Sequence, residues 1–188
     1  FPVNALLSNA LLKVAPILVL VWQATKLARN TQRTLLLTAL LFSGLGDSIL
    51  TLSAPWSFPA GLASFLIAQL VYAGLFFRNF SWQTKRLFFV AVLIIHASYF
   101  ASLLMPKAGD LAVAISAYLA AISLMGIASI FYRHNDWVIL GAATFIISDT
   151  IIAVNKFLLP FAGADLAIMA SYYLAQALIF HALVSSQT

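Results

Sequence analysis

Two aspartates lie deep in apolar stretches of this sequence, and they are the side chains best suited to chemistry. Asp47 lies in the run LFSGLGDSIL (residues 41–50), and Asp149 lies in the run GAATFIISDT (residues 141–150). They are two of only five acidic residues, and the chain has no glutamate. A charged side chain at the centre of a bilayer costs roughly 2.5–3.5 kcal/mol on insertion scales, so such residues usually serve a function.

Two carboxyl groups in one apolar site are suited to paired proton transfer. Like charges held close together cannot both ionise easily, so one group keeps its proton while the other stays ionised. Such a pair supplies a general acid and a general base. We therefore expect Asp47 and Asp149 to form one catalytic site, of the kind that an intramembrane hydrolase needs.

The composition predicts a membrane protein. The 188 residues are 63% hydrophobic and 8% charged, with a mean hydropathy of +1.02, whereas soluble domains carry about 25% charged residues. Long continuous apolar runs favour helices over a β-barrel, whose strands alternate. The absence of cysteine excludes disulfides and cysteine-based metal sites.

Seven apolar segments are long enough to cross a bilayer as helices. The loops between them are short, and no linker is long enough to divide the chain. We therefore predict an all-α, polytopic transmembrane helix bundle that forms one domain over residues 1–188. The predicted spans are Ala5–Thr25, Arg33–Ser53, Phe58–Phe77, Thr84–Leu104, Leu111–Tyr132, Trp137–Phe157 and Ala164–Val184.

The basic residues lie mainly on alternate loops, which sets the expected orientation. The net charge of +5 is carried between the apolar runs, so it indicates membrane orientation and no nucleic-acid partner. The loops after spans one, three and five, and the C-terminus, are predicted to face the cytoplasm. We expect a multi-pass protein of the inner membrane in a bacterium, or of the endoplasmic reticulum in a eukaryote. Trp56, Trp82 and Trp137 fall at span ends, as interfacial aromatics do.

Polar side chains from all seven spans fall at a similar depth. At 1.5 Å of rise per residue, Asp47, His96 and Asp149 differ in height by only about 3 Å. Random scatter would not converge on one depth, so we expect a buried site walled by the helices. His96 fits a hydrogen-bonded packing residue, and three scattered histidines without an HxxxH pair predict no metal site.

Three alternatives to a carboxylate hydrolase follow from the same residues. Each aspartate could be a protonated structural group or pair with Lys13 or Lys156. A polar layer with two acids also suits a proton-coupled carrier of lipids or small metabolites. The GLGD sequence at residues 44–47 matches the GxGD pattern of presenilin-like intramembrane aspartyl proteases. That family has a YD helix before GxGD and a PAL motif after it, and both are absent here.

Longer motifs resemble the YhhN-like membrane family, which includes the lysoplasmalogenases. They occur in the family's order over nearly the whole chain. The motifs are KVAP (13–16), FSGLGDSIL (42–50), PAGLASFLIAQLVY (59–72), AY (117–118), GAATFIISD (141–149) and SYYLAQALI (171–179). The resemblance implies a hydrolase that cleaves the vinyl ether bond of lysoplasmalogens. A lysophospholipid taken from among the membrane lipids would be the substrate, and no metal or organic cofactor is needed.

Vinyl ether hydrolysis needs an acid to protonate the alkene and a base to activate water. An aspartate pair can supply both, so we hypothesise that Asp47 and Asp149 share these roles. Ten polar residues are expected to orient substrate or water: Lys13, Ser43, Gln69, Tyr72, Tyr118, Ser148, Asn155, Tyr172, Tyr173 and Gln176. The family commonly carries a histidine where Gln69 stands, and a glutamine cannot shuttle protons. A further span before the Lys13 helix is also common, which would give eight spans in the full-length protein.

Overall fold

The computed structural model describes residues 3–185, with side chains from Lys13 onward. This part of the chain contains seven α-helices and no β-strand, which confirms the predicted fold class. The helices are α1 (Val3–Thr25), α2 (Thr31–Leu50), α3 (Ser57–Phe77), α4 (Leu87–Leu104), α5 (Ala112–Ile130), α6 (Trp137–Ala153) and α7 (Ala164–Ser185). Every predicted span corresponds to one of these helices, and their ends shift by only a few residues.

The chain is an integral membrane protein by the length and apolarity of its helices. Among the described residues, six segments are long and apolar enough to cross a membrane. They are Thr31–Leu50, Ser57–Phe77, Thr84–Lys107, Gly109–Ile130, Trp137–Leu158 and Ala164–Ser185. Helix α1 has 23 residues, and the part of it with described side chains is the shorter apolar segment Lys13–Thr25. The side of the membrane that holds the C-terminus stays a prediction.

The chain divides into two compact units, each of which is described by itself. The first unit ends at Tyr72 and the second begins at Ala73. The organisation of residues 1–188 as a single domain therefore stays a prediction.

In the first unit, α2 packs closely against the first part of α3. The side chain of Asn30 accepts a hydrogen bond from the backbone of Arg33 at 2.8 Å and so caps the start of α2. A Cβ atom at Gly46 would lie 2.6 Å from the ring of Phe65, so only glycine leaves room for that ring. The close neighbour at this turn of α2 is therefore an aromatic side chain.

In the second unit, α6 and α7 approach each other at Gly141. A Cβ atom at this position would lie 3.0 Å from the backbone nitrogen of Ile179 and 3.2 Å from the carbonyl oxygen of Ala175. Small residues allow such backbone contact, which gives membrane helices their van der Waals packing. Helix α4 differs, because Leu104 is its one fully buried residue and its other side chains are at least partly exposed.

Helix α6 ends in a wider turn that the sequence does not predict. Residues Val154–Leu158 form a π-helix, and the backbone nitrogen of Leu159 donates to the carbonyl oxygen of Val154 at 2.8 Å. Such turns insert an extra residue and change the direction in which the following side chains point. The loop that starts at the extended residue Leu159 therefore follows a π-helical turn at the end of α6.

We predict that Gly141→Ala lowers the free energy of unfolding by about 1–3 kcal/mol, because the added methyl group meets the backbone of α7. Unfolding in mixed detergent and SDS micelles would measure this change. Gly74→Ala is the matched control, since a Cβ atom there has no neighbour within 4 Å. Equal effects of the two substitutions would contradict the assigned contact.

Candidate functional site

The second unit joins one of the two buried aspartates to a tyrosine. The hydroxyl of Tyr118 on α5 donates a hydrogen bond of 2.6 Å to Oδ2 of Asp149 on α6. Tyr118 is 8% exposed, and Asp149 is partly buried. This bond joins α5 to α6 and orients the carboxyl group through Oδ2.

A second hydrogen bond lies next to Asp149 on α6. The hydroxyl of Thr150 donates to the carbonyl oxygen of Ile146 at 2.7 Å. It also forms a 3.1 Å hydrogen bond with Nε2 of His96 on α4. The ring of His96 also lies 4.7 Å from that of Phe100. These contacts agree with the interpretation of His96 as a hydrogen-bonded packing residue.

Sequence reasoning missed Thr150, although it directly follows Asp149. A hydroxyl residue beside an aspartate in an apolar helix is a signal that could have drawn attention to it. Its partner His96 lies 54 residues away in the chain, and no spacing rule links the two. Together they fix α4 against the turn of α6 that carries Asp149.

The predicted residues Tyr172, Tyr173 and Gln176 lie on α7. The ring of Tyr172 meets that of Phe145 on α6 edge to face, at 5.5 Å between centroids. It also lies 5.4 Å from the ring of Tyr173. Gln176 is fully buried one turn beyond Tyr172. This arrangement gives α7 a polar stripe within an otherwise apolar helix.

Two of the predicted orienting residues bond to nearby backbone. The hydroxyl of Ser148 donates to the carbonyl oxygen of Ile168 at 3.0 Å and ties α6 to α7. The side-chain oxygen of Asn155 accepts from the backbone nitrogen of Phe161 at 3.2 Å, in the loop that follows the π-turn. Both bonds stabilise the surroundings of Asp149, while the orienting role of these two residues stays a prediction.

The first unit contains the other predicted site residues. Ser43, Gln69 and Tyr72 are fully buried, whereas Lys13 and Asp47 are partly buried. Ser43 lies one helical turn before Asp47 on α2, so their side chains share a face.

The register of α2 against α3 follows from two close contacts. Leu50 meets Gly61, and Gly46 meets Phe65, as expected for antiparallel helices. One further turn of the same register brings Gln69 level with Phe42, the residue before Ser43.

A resident metal ion has no evident ligand set in the described part of the chain. No three histidine or aspartate side chains there lie close enough together to hold one. The expectation that no cofactor is needed stays a prediction, as does the common site of Asp47 and Asp149.

Comparisons with known proteins give a consistent result. The model of the YhhN family matches residues 8–183. Human lysoplasmalogenase TMEM86A is 30% identical over 171 residues, which is 86% of this chain and 70% of the relative. Lysoplasmalogenase TMEM86B of Sus scrofa is 34% identical over 144 residues, or 75% of this chain and 59% of the relative.

A bacterial relative extends this range. The lysoplasmalogenase of Mycobacterium bovis is 28% identical over 155 residues, covering 79% of this chain and 59% of the relative. The chain thus spans between 59% and 70% of the length of these relatives. No solved structure matches it significantly.

We predict that the bond between Tyr118 and Asp149 stabilises the fold by about 1–3 kcal/mol, because its loss leaves a buried carboxyl oxygen without its donor. A double-mutant cycle of Tyr118→Phe and Asp149→Leu, measured by unfolding in mixed micelles, isolates this coupling. Tyr99→Phe is the control, since Tyr99 is 59% exposed. Additive effects of the two substitutions would contradict the bond.

Proposed function

Because this chain belongs to the YhhN family, we propose that it hydrolyses the vinyl ether bond of lysoplasmalogens. The products are a fatty aldehyde and glycerophosphoethanolamine or glycerophosphocholine. Support comes from relatives in mammals and a mycobacterium that are named lysoplasmalogenase at 28–34% identity. The structural observation that carries the proposal is the carboxyl group of Asp149, held by Tyr118 within apolar helices.

The reaction adds one water molecule and changes no oxidation state overall. A proton first bonds to the alkene carbon farther from the ether oxygen, which leaves an oxocarbenium ion. Water then bonds to the carbon next to oxygen and gives up a proton, so a hemiacetal forms. The hemiacetal hydroxyl then gives up its proton while the carbon–oxygen bond to glycerol breaks and the glycerol oxygen takes a proton, so the aldehyde is released. The steps need an acid, a base and a negative charge near the cation.

Asp149 is proposed to serve this chemistry as one of the two carboxyl groups. Tyr118 holds Oδ2 at 2.6 Å, so the carboxyl group cannot rotate freely and keeps a fixed orientation. A carboxylate attracts an oxocarbenium ion far more strongly in apolar surroundings than in water, because the effective dielectric constant is lower. Tyr118 acts through Asp149, and we regard it as a positioning residue.

Asp47 is proposed to supply the second carboxyl group. Its support is the matching depth in the sequence and the buried Ser43, one helical turn away on α2. The amide of Gln69 can hold a water molecule by hydrogen bonds but cannot exchange a proton with it. Proton transfer is therefore assigned to the aspartates, and Gln69 is assigned to placing water.

The remaining polar residues are proposed to bind the head group or order water. They are Lys13, Tyr72, Tyr172, Tyr173 and Gln176. The bonds of Ser148 and Asn155 to the backbone favour a supporting role for those two. The alkenyl chain would lie against apolar helix surfaces, and the substrate would enter sideways from the lipid. The C-terminus is proposed to be cytoplasmic.

We predict that Asp149→Asn and Asp47→Asn each lower the rate of aldehyde release from lysoplasmenylethanolamine by about 10²–10⁴-fold, the usual contribution of an acid or base. Tyr118→Phe should lower it by about 10–100-fold, as expected for one hydrogen bond to a reacting carboxyl group. Purified protein in detergent and a coupled aldehyde assay would measure these rates.

Asp165→Asn is the matched control, because Asp165 is exposed at the start of α7. It should retain full activity. Activity that survives both Asp47→Asn and Asp149→Asn would refute the carboxyl mechanism. Failure of the unaltered protein to release aldehyde from any vinyl ether lipid would instead favour the carrier.

A further inference from the structure

Two loops of the second unit are joined by backbone hydrogen bonds. One loop lies between α3 and α4 (residues 78–86), and the other lies between α5 and α6 (residues 131–136). The backbone nitrogen of Ser81 donates to Phe131 at 2.8 Å, and that of Arg133 donates to Asn79 at 2.9 Å. An antiparallel bridge pairs Phe80 with Tyr132 between these two bonds. The loops therefore form one surface.

Arg86 strengthens this connection and neutralises the acidic residue of the two loops. Its Nη1 donates to the carbonyl oxygens of Ile130 at 2.7 Å and Tyr132 at 3.2 Å. Its Nη2 forms an ion pair with Asp136. The side chain of Arg86 is only 14% exposed, so it acts mainly inside the loops.

Three cations remain on the outer side of the joined loops. Arg78, Lys85 and Arg133 are all exposed. Because Asp136 is already paired with Arg86, these three positive charges have no acidic residue within the two loops to balance them. We call Arg78, Lys85 and Arg133, with the aromatic residues described next, the basic loop surface.

Exposed aromatic rings accompany the charges. Trp82 is 62% exposed and stacks on Phe131 at 4.9 Å, and Phe80 is 42% exposed and lies 5.2 Å from the same ring. Tryptophan beside basic residues at the end of a membrane span is typical of the level of lipid head groups. The rings and the charges together suit a partner that is apolar on one side and anionic on the other.

We propose that the basic loop surface binds the head groups of anionic phospholipids in the leaflet that it faces. Membrane lipid is the occupant that the observations favour, because the surface lies at the ends of membrane spans α3, α4, α5 and α6. The interaction is separate from the proposed hydrolysis, because the substrates proposed for that reaction carry zwitterionic head groups. It would enrich anionic lipid around this end of the second unit.

Trp82 provides a local reporter for the test. In a protein whose Trp22, Trp56 and Trp137 are replaced by phenylalanine, Trp82 fluorescence is quenched by brominated lipid beside it. The protein is reconstituted into phosphatidylcholine nanodiscs that contain increasing fractions of brominated phosphatidylglycerol or brominated phosphatidylcholine. One lysine or arginine near an anionic membrane surface strengthens binding to it about five-fold. We therefore expect Trp82 to be quenched with at least about a five-fold preference for brominated phosphatidylglycerol over brominated phosphatidylcholine.

The combined substitution Arg78→Gln, Lys85→Gln and Arg133→Gln should abolish the preference, so that the two brominated lipids quench Trp82 about equally. Raising the salt concentration to about 1 M should weaken it as well, because the Debye length falls to about 3 Å. Circular dichroism of this variant checks that the helices are retained.

A second reporter protein, with Trp56 as its one tryptophan, is the matched control. Trp56 is 56% exposed and lies between α2 and α3, in a loop without lysine or arginine. Its quenching should be the same with both lipids. Equal quenching of Trp82 by the two lipids, a preference that survives the combined substitution, or the same preference at Trp56 would overturn the proposal.

Discussion

A bilayer offers no hydrogen-bond partners, so every polar group within a span must find one in the protein. The hydroxyl groups of Ser64, Ser148 and Thr150 illustrate this constraint. Ser64 donates to the carbonyl oxygen of Phe42, Ser148 donates to that of Ile168, and Thr150 bonds both within its own helix and to His96. Each of these three hydroxyl groups joins two helices, so polarity here serves packing as much as chemistry.

Close van der Waals packing has to supply the rest of the attraction between the helices. Lipid tails are as apolar as the helix surfaces, so the hydrophobic effect does not favour helix contacts over lipid contacts. Gly46 leaves room for the ring of Phe65, and Gly141 lets α6 approach the backbone of α7. Helix α4 lacks comparable burial and presents most of its side chains to the surroundings. Gly46 directly precedes Asp47 on α2, and Gly141 lies on the same helix as Asp149.

Membership of the YhhN family and the contacts around Asp149 support the same kind of chemistry from different directions. Relatives named lysoplasmalogenase occur in mammals and a mycobacterium, while the bond from Tyr118 shows how one carboxyl group is oriented. A vinyl ether is apolar and reacts through a cation, so an oriented carboxyl group in apolar surroundings suits its hydrolysis. The basic loop surface would add a contact with lipid that is independent of this reaction.

The sequence by itself determined the seven helices, because hydrophobic length and loop signals are local properties of the chain. It did not predict that α2 ends at Leu50, where the hydroxyl of Thr51 bonds to the carbonyl oxygens of Asp47 and Ser48. Nor did it select a partner for Asp149, for which lysines were equally good candidates. Tyr118 lies 31 residues away, and only the rotation and packing of α5 against α6 decide that these two side chains meet.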